Sequence, residues 1–358
     1  MTIRLDVTGM LHRAVPSGLT DEGLAALAPR LEAAHAGLLA DAARGILGFR
    51  EFEAQAAERE LTVDEFSVVK LTVKAVPDAR SARTLGPQRE GTGVVIDSSG
   101  LVLTIGYLVT EADTIELSTA DGRKFPANMI GYDNATGLGL VKSLQPLPIK
   151  PVDFGQSTAA NLRDIVLIVG FDGVAPAYIV SKRPFVGYWE YLLDEAIYTA
   201  PATVNWQGAA LLSREGKLLG IGSLAVGDAI AQSGVPGNMF VPIDTLKPVL
   251  GDFIANGRAT TKPRPWLGIT SQEIQGKVIV TRVSSEGPAE DAGLKAGDII
   301  VGLGGQALAG QADFYTRLWK SGDAGVVVTL DVLKGNKIEP VKVKSIAREL
   351  HFRSKPVY

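Results

Sequence analysis

From Phe66 to about residue 223, the chain is a series of short strand-like runs separated by Gly, Asp, Ser and Asn. The runs are SVVKLTVKAV, GTGVVID, LVLTIGYLV, TIELST, IVLIVGF, AYIVSK, EAIYTA and KLLGIGSL. Apolar and β-branched runs of this length, divided at regular spacing by turn residues, are typical of antiparallel barrels and sandwiches. The sequence therefore predicts a mainly β body.

Segments with other sequence patterns flank this body, which we place at residues 63–256. Residues 1–62 carry leucines at near-helical spacing and predict a helical N-terminal extension, which either packs on its own domain or docks a partner. The Pro-containing and charged residues 257–265 predict an exposed linker. Residues 266–347 combine four strand-like runs with the helical runs PAEDAGL and QADFYTRLWKSG, which predicts a small α+β module. Residues 348–358 form a C-terminal tail.

Composition excludes several classes of function. The formal net charge of −3 gives no basic field for nucleic acid, and the absence of cysteine excludes disulfides and thiolate sites. His12, His35 and His351 lie outside the predicted modules, so we expect no metal centre and no cofactor. No apolar run is long enough to span a membrane. The start lacks the apolar core of a secretory signal, which favours the cytoplasm, or the periplasm if an export signal was removed.

Three segments resemble one family. Residues 91–143, with GTGVVID, the ADGRK turn and DNATGLGL, resemble the first barrel of HtrA/DegP-like serine proteases. Residues 197–223 resemble the second barrel of that family, and RPWLGIT onward resembles its PDZ domain. The resemblance implies a trypsin-like double antiparallel β-barrel followed by an α+β PDZ-like domain.

The departures from the family fall on its catalytic triad. Aligned to it, Tyr107 stands in place of the histidine, Gly137 in place of the aspartate and Gly208 in place of the serine. In the triad, serine attacks, histidine moves the proton and aspartate orients the ring. Tyrosine and glycine cannot take these roles, and no histidine occurs between His35 and His351. These positions predict that the chain is not an enzyme; the alternative is a residual or unconventional serine-type hydrolase.

The turn that forms the oxyanion hole in the family is also altered. It reads Trp206, Gln207, Gly208, Ala209 here, with alanine where the family has glycine. Alanine resists the positive φ that glycine tolerates, so we expect a turn of different shape. Two interpretations stay open: an unused cleft, or an altered cleft that binds a ligand through Trp206, Gln207 and Ala209.

The PDZ-like module is the part whose family function does not depend on the triad. In such modules a short loop captures a terminal carboxylate with backbone N–H groups, and the peptide adds as a strand to a sheet edge. The resemblance implies that the loop is Trp266, Leu267, Gly268 and Ile269, that Thr270 continues the receiving strand, and that the helix with Phe314 and Leu318 forms the other wall. The alternative is that these residues only pack the module.

The predicted function is therefore binding. We expect a scaffold, adaptor or chaperone-like subunit that recognises protein or peptide C-termini through the PDZ-like groove, and a stable partner through the N-terminal helices. A dedicated structural subunit of a larger enzyme complex is a further alternative. The resemblance also implies a homo-oligomer, most simply a trimer.

Overall fold

Six antiparallel strands close the first barrel in the computed structural model, which describes residues 62–257 and 262–353. The strand order is β1-β2-β3-β6-β5-β4. Side chains that alternate along β1, such as Leu71 and Val73, point into the core and are almost fully buried, as expected for a strand with one face inside. The strands are β1 (Val68–Ala75), β2 (Gln88–Val95), β3 (Leu101–Ile105), β4 (Ala112–Ser118), β5 (Lys124–Tyr132) and β6 (Leu138–Ser143).

A second six-stranded barrel follows in the order β10-β11-β12-β9-β8-β7. Its core holds Ile168, Ile179 and Phe240, each 0–1% exposed. The strands are β7 (Ile165–Gly170), β8 (Gly173–Gly187), β9 (Tyr191–Ala200), β10 (Ala210–Leu212), β11 (Leu218–Val226) and β12 (Gly237–Pro242). Strands β8 and β9 are the longest pair and form a hairpin.

The third module is one sheet with a helix packed on it. The order is β13-β14-β15-β17-β18, with β16 paired to β15, so β13 is an edge strand. Its core contains Leu267, Phe314 and Leu318. The elements are β13 (Ile269–Ile274), β14 (Lys277–Val283), β15 (Ile299–Leu303), β16 (Gln306–Ala307), β17 (Val327–Lys334), β18 (Lys337–Lys344) and two helices named below.

In the parts of the chain that the structure describes, the helices are short and lie mostly between strands. The α-helices are α1 (Ala82–Leu85), α2 (Gly106–Val109), α3 (Leu250–Asn256), α4 (Pro288–Asp291) and α5 (Gln311–Lys320). Four 3-10 helices cover Val63–Glu65, Ser157–Ala159, Ile243–Thr245 and Arg348–Leu350. The first run that looked like one long strand, LVLTIGYLV, is divided into β3 and α2. The helix begins at Gly106, where glycine is required because a Cβ atom would collide with the ring of Tyr132.

The mainly β prediction, with two antiparallel barrels and an α+β module, is confirmed. The predicted helical extension (1–62) lies outside the described residues except for Thr62, and so do the last five residues of the tail. Within the described part of the chain, no helix is both long and apolar enough to cross a membrane.

Candidate functional site

Tyr107 lies on α2 and turns its side chain toward the second barrel. Its hydroxyl donates a hydrogen bond to the carbonyl oxygen of Ser223 at 2.9 Å. The start of α2 is held by the Gly106 N–H, which donates to the Gly137 carbonyl at 2.7 Å. Burial raises the pKa of the Tyr107 phenol well above its ordinary value. Tyr107 is therefore a neutral phenol that joins the two barrels.

Gly137 follows the turn that begins at Asp133 and has φ +79°. A Cβ atom built on it would lie 3.0 Å from the hydroxyl of Tyr191. That hydroxyl donates to the Thr136 carbonyl at 2.5 Å, and Tyr191 is 3% exposed. A buried tyrosine ring thus fills the space beside Gly137 that a side chain would enter.

Gly208 sits where β10 approaches the first barrel, with φ +74°. Its N–H donates to the Gly222 carbonyl at 2.9 Å. A Cβ atom here would lie far inside van der Waals contact with the carbonyl oxygen of Thr92 and 2.7 Å from Oγ1 of Thr104. A side chain at 208 would therefore collide with atoms of the first barrel.

Gln207, one residue earlier, lies at the cleft surface. It lines a hollow of about 210 Å³ together with Thr92, Phe171 and Val204. Its carbonyl accepts a hydrogen bond from the Thr92 N–H at 2.8 Å.

The remaining residues assigned to an altered cleft behave differently. Ala209 is fully buried in the second-barrel core, so it does not line the cleft, contrary to prediction. The Trp206 carbonyl accepts from the Ala209 N–H at 3.2 Å and closes the turn. Of Trp206, Gln207 and Ala209, Gln207 is the residue that lines the described hollow.

The loop before β13 holds a carboxylate. The backbone N–H of Leu267 donates to Oε2 of Glu190 at 2.9 Å. The N–H groups of Gly268 and Ile269 donate to Oε1 of Glu190 at 2.7 and 2.9 Å. Trp266, the fourth predicted member of the loop, instead pairs its N–H with the Ile346 carbonyl. Three successive amides thus converge on one carboxylate.

Glu190 comes from the tip of the long hairpin of the second barrel. Tyr188, Trp189 and Glu190 form a three-residue loop between β8 and β9, and Glu190 closes it with φ +54°. The carbonyl of Tyr188 accepts from the N–H of Ser271 on β13 at 2.8 Å. Sequence reasoning missed Glu190, which carries no local motif and lies 77 residues before Leu267.

Helix α5 supplies the other wall. The Tyr315 hydroxyl donates to the Gly187 carbonyl at 3.1 Å and accepts from the Glu190 N–H at 3.2 Å. The Gln311 side-chain amide lies 3.0 Å from the same hydroxyl. Sequence reasoning missed both Tyr315 and Gln311, because at helical spacing they look like ordinary surface or core positions.

The predicted apolar wall residues lie deeper. Phe314 and Leu318 are 0% exposed in the module core, as is Leu267. Val186 and Leu192 of the hairpin pack against this core from outside. Thr270, expected on the receiving strand, points its hydroxyl toward Arg282 of β14, and the neighbouring Ser271 makes the bond to the hairpin.

The electrostatics of Glu190 follow from its surroundings. Burial raises the pKa of this carboxyl to about 7, while the three N–H donors and the charge of Arg348 favour the ionised form and oppose that rise. Burial outweighs these contacts, so the seated carboxyl holds its proton more tightly than it would in water.

Comparison with known proteins agrees with these modules. Residues 91–221 match the family described as Trypsin-like peptidase domain, and residues 265–345 match the PDZ domain family. With these two domains in this order, the chain belongs to the HtrA/DegP-like family.

Curated relatives give the same grouping. One relative, from Haemophilus influenzae, is named "Probable periplasmic serine protease do/HhoA-like"; it is 27% identical over 71% of this chain and 57% of its own length. Another, from Bartonella henselae, is named "Probable periplasmic serine endoprotease DegP-like" and is 29% identical over 73% of this chain and 54% of its own length. A structure titled "HtrA-type protease AlgW with decapeptide" has TM-score 0.48 and 20% identity, covering 81% of this chain and 96% of that one. The chain spans about half the length of the curated relatives it matches.

Two predictions need correction. The prediction that the chain is not an enzyme is contradicted, because the relatives are named serine proteases or endoproteases and these names point to protease activity. The expectation of a cytoplasmic protein has no support, since these relatives are named periplasmic.

Proposed function

We propose that this chain recognises the C-terminal ends of proteins or peptides in the groove between β13 and α5. The observation that carries the proposal is the convergence of the Leu267, Gly268 and Ile269 N–H groups on a carboxylate. A peptide terminus presents the same two-oxygen group. Backbone donors bind it whatever the side chains of the loop are.

The edge of β13 supports a second part of this binding mode. The N–H of Ser271 faces away from β14 and pairs with a carbonyl outside the sheet, that of Tyr188. Main-chain pairing at such an edge provides affinity, and side chains that enter the groove provide selectivity. Thr270, Phe314 and Leu318 border this groove in the proposal.

Binding of this kind suits a scaffold, adaptor or chaperone-like subunit. We propose the periplasm as its location, supported by the names of its relatives. Assembly into a homo-oligomer such as a trimer, and partner docking through residues 1–62, complete the proposal.

The test is peptide binding by the full chain. Fluorescein-labelled ten-residue peptides that end in free Val, Phe or Tyr are titrated by fluorescence anisotropy, with C-terminally amidated copies as controls. We expect the free acids to bind and the amides to bind at least tenfold more weakly. Equal affinity of acids and amides would refute carboxylate capture.

A matched pair of variants tests the loop. Gly268→Ala places a Cβ atom 3.1 Å from the ring of Trp266 at φ +83° and should tilt the amides, weakening binding about tenfold. Gly276→Ala has a similar φ of +74° at the β13–β14 turn, with nothing within 4 Å, and should leave affinity unchanged.

Peptide-bond cleavage is a second candidate function, favoured by the family match and the names of the relatives. In the alignment to the family, the triad positions carry Tyr107, Gly137 and Gly208, so a nucleophile and a base would come from other residues. The experiment incubates the pure protein with unfolded casein and a serine-directed fluorophosphonate probe. Labelling and turnover that both disappear when the labelled serine is replaced by alanine would support cleavage. The absence of both signals, in an assay where a control protease is active, would oppose it.

A further inference from the structure

The hairpin of β8 and β9 extends beyond the second barrel. The barrel pairings of β9 with β12 involve Ile197 to Thr199. After the register shift between Arg183 and Phe185, the two strands pair only with each other, at Phe185↔Leu193, Val186↔Leu192 and Gly187↔Tyr191. We name residues 185–193 the arm. The arm therefore reaches the PDZ-like module without being needed to close the barrel.

The tip of the arm makes the contacts that a bound peptide terminus would make. The side-chain carboxylate of Glu190 accepts hydrogen bonds from the three loop N–H groups. Two residues earlier, the Tyr188 carbonyl accepts a hydrogen bond from the Ser271 N–H of the edge strand. One carboxylate and one strand-type hydrogen bond, in the groove between β13 and α5, are the polar elements of strand addition with terminal capture.

Apolar contacts complete the seating of the arm. Val186 and Leu192 flank the tip and pack against the core of the module. Tyr315 of α5 is 0% exposed and binds main-chain atoms of the tip at Gly187 and Glu190. The groove is thus filled along both its polar and its apolar walls.

We infer that the arm is an internal ligand of the PDZ-like groove, so that a peptide C-terminus binds only after Glu190 leaves the loop. This inference rests on the proposed peptide-binding function. The three amides can serve only one carboxylate at a time, so peptide and arm compete. The apparent dissociation constant of the peptide is then its intrinsic value divided by the fraction of molecules whose arm is released.

The experiment compares four full-length proteins: the parent chain, Glu190→Gln, Glu190→Ala and Asp194→Ala. The glutamine variant keeps the size of the side chain but brings an NH2 group against the N–H donors of the loop. Asp194 is an exposed acidic residue on the same arm-bearing strand and serves as the matched control. Thermal unfolding followed by circular dichroism establishes that each variant is folded. If Glu190→Ala does not fold, the comparison uses the near-isosteric Glu190→Gln alone.

Two readouts are taken. The first is the affinity for the free-acid peptides, which should be at least tenfold tighter in both Glu190 variants than in the parent and the Asp194 variant. A tenfold change corresponds to an arm seated in about nine of ten parent molecules. The second is amide hydrogen exchange at residues 267–269 without peptide, which should accelerate in the Glu190 variants alone.

The possible failures are distinguishable. Equal peptide affinity in all four proteins overturns the internal ligand while peptide binding stands. If no protein binds any free-acid peptide, the proposed function is overturned and displacement with it, even when the loop amides exchange faster.

Discussion

The hydroxyl of Tyr191 lies 3.0 Å from the point at which a Cβ atom on Gly137 would stand. Tyr191 follows directly after Glu190, so one residue of the arm fills the space beside Gly137 while its neighbour fills the carboxylate loop. The ring stacks on Trp189 at 5.7 Å and packs edge-on against Phe185 at 6.0 Å. The arm therefore contacts the first barrel through Tyr191 and the PDZ-like module through Glu190.

Replacing Gly137 by aspartate should destabilise the protein. The side chain would meet the Tyr191 ring in a left-handed backbone conformation, and together these should lower the free energy of unfolding by about 1–3 kcal/mol. Urea denaturation measures the change. Gly122→Asp is the control, because Gly122 has φ +82° with nothing within 4 Å, and only the smaller backbone penalty applies. Equal losses for the two variants would contradict the role of the Tyr191 ring.

Replacing Gly208 by serine should be more damaging. The new Cβ would overlap the Thr92 carbonyl, which belongs to the rigid first barrel, so we expect a loss of about 3 kcal/mol or more in the free energy of unfolding. Gly216→Ser, at φ +75° in open space, isolates the backbone penalty. A Gly208 variant as stable as the Gly216 variant, by urea denaturation, would show that position 208 can hold a side chain.

Removing the Tyr107 hydroxyl should weaken the contact between the barrels. Tyr107→Phe deletes the donor to the Ser223 carbonyl and leaves that oxygen without this bond, for a loss of about 1 kcal/mol in the free energy of unfolding. Tyr188→Phe makes the same chemical change at a side chain that is 52% exposed and should change little. Comparable losses in both variants, measured by thermal unfolding, would argue against a structural role for the Tyr107 hydroxyl.

Peptide affinity should rise with pH between about 5 and 7.5. Glu190 has a pKa of about 7 in the seated arm and an ordinary pKa near 4.5 once released, so the seated form holds a proton that the released form loses. Seating is then most stable below 4.5 and weakens as pH rises to about 7. Burial raises the pKa of the Tyr315 phenol, which faces the carboxyl, to about 12, so this neighbour stays neutral throughout the window.

The expected size of this effect is roughly fiftyfold in the peptide dissociation constant, because a carboxyl pKa of about 7 in the seated arm and 4.5 in the released arm changes the seating equilibrium by about that factor between pH 5 and 7.5. The peptide carboxylate is ionised throughout the range, so its own titration does not contribute. Fluorescence anisotropy at pH 5 and 7.5 measures the change. Glu190→Gln cannot titrate and should show a flat profile; a parent chain as flat as this variant would rule out Glu190 as the source.

The sequence by itself determined the strands, the turns and the order of the modules. Alternation along runs such as SVVKLTVKAV and the turns at DNATG depend on neighbours in the chain, so local pattern predicts them. The resemblance to the family, and not local pattern, placed the loop at Trp266, Leu267, Gly268 and Ile269.

Only the tertiary structure decided what the loop binds. Glu190 lies 77 residues before Leu267 and reaches it because β8 and β9 extend past their barrel. Tyr191 lies 54 residues after Gly137 and covers it because the same two strands extend past their barrel. Contacts between such distant segments depend on how finished modules pack, and that packing leaves no periodic trace in either segment.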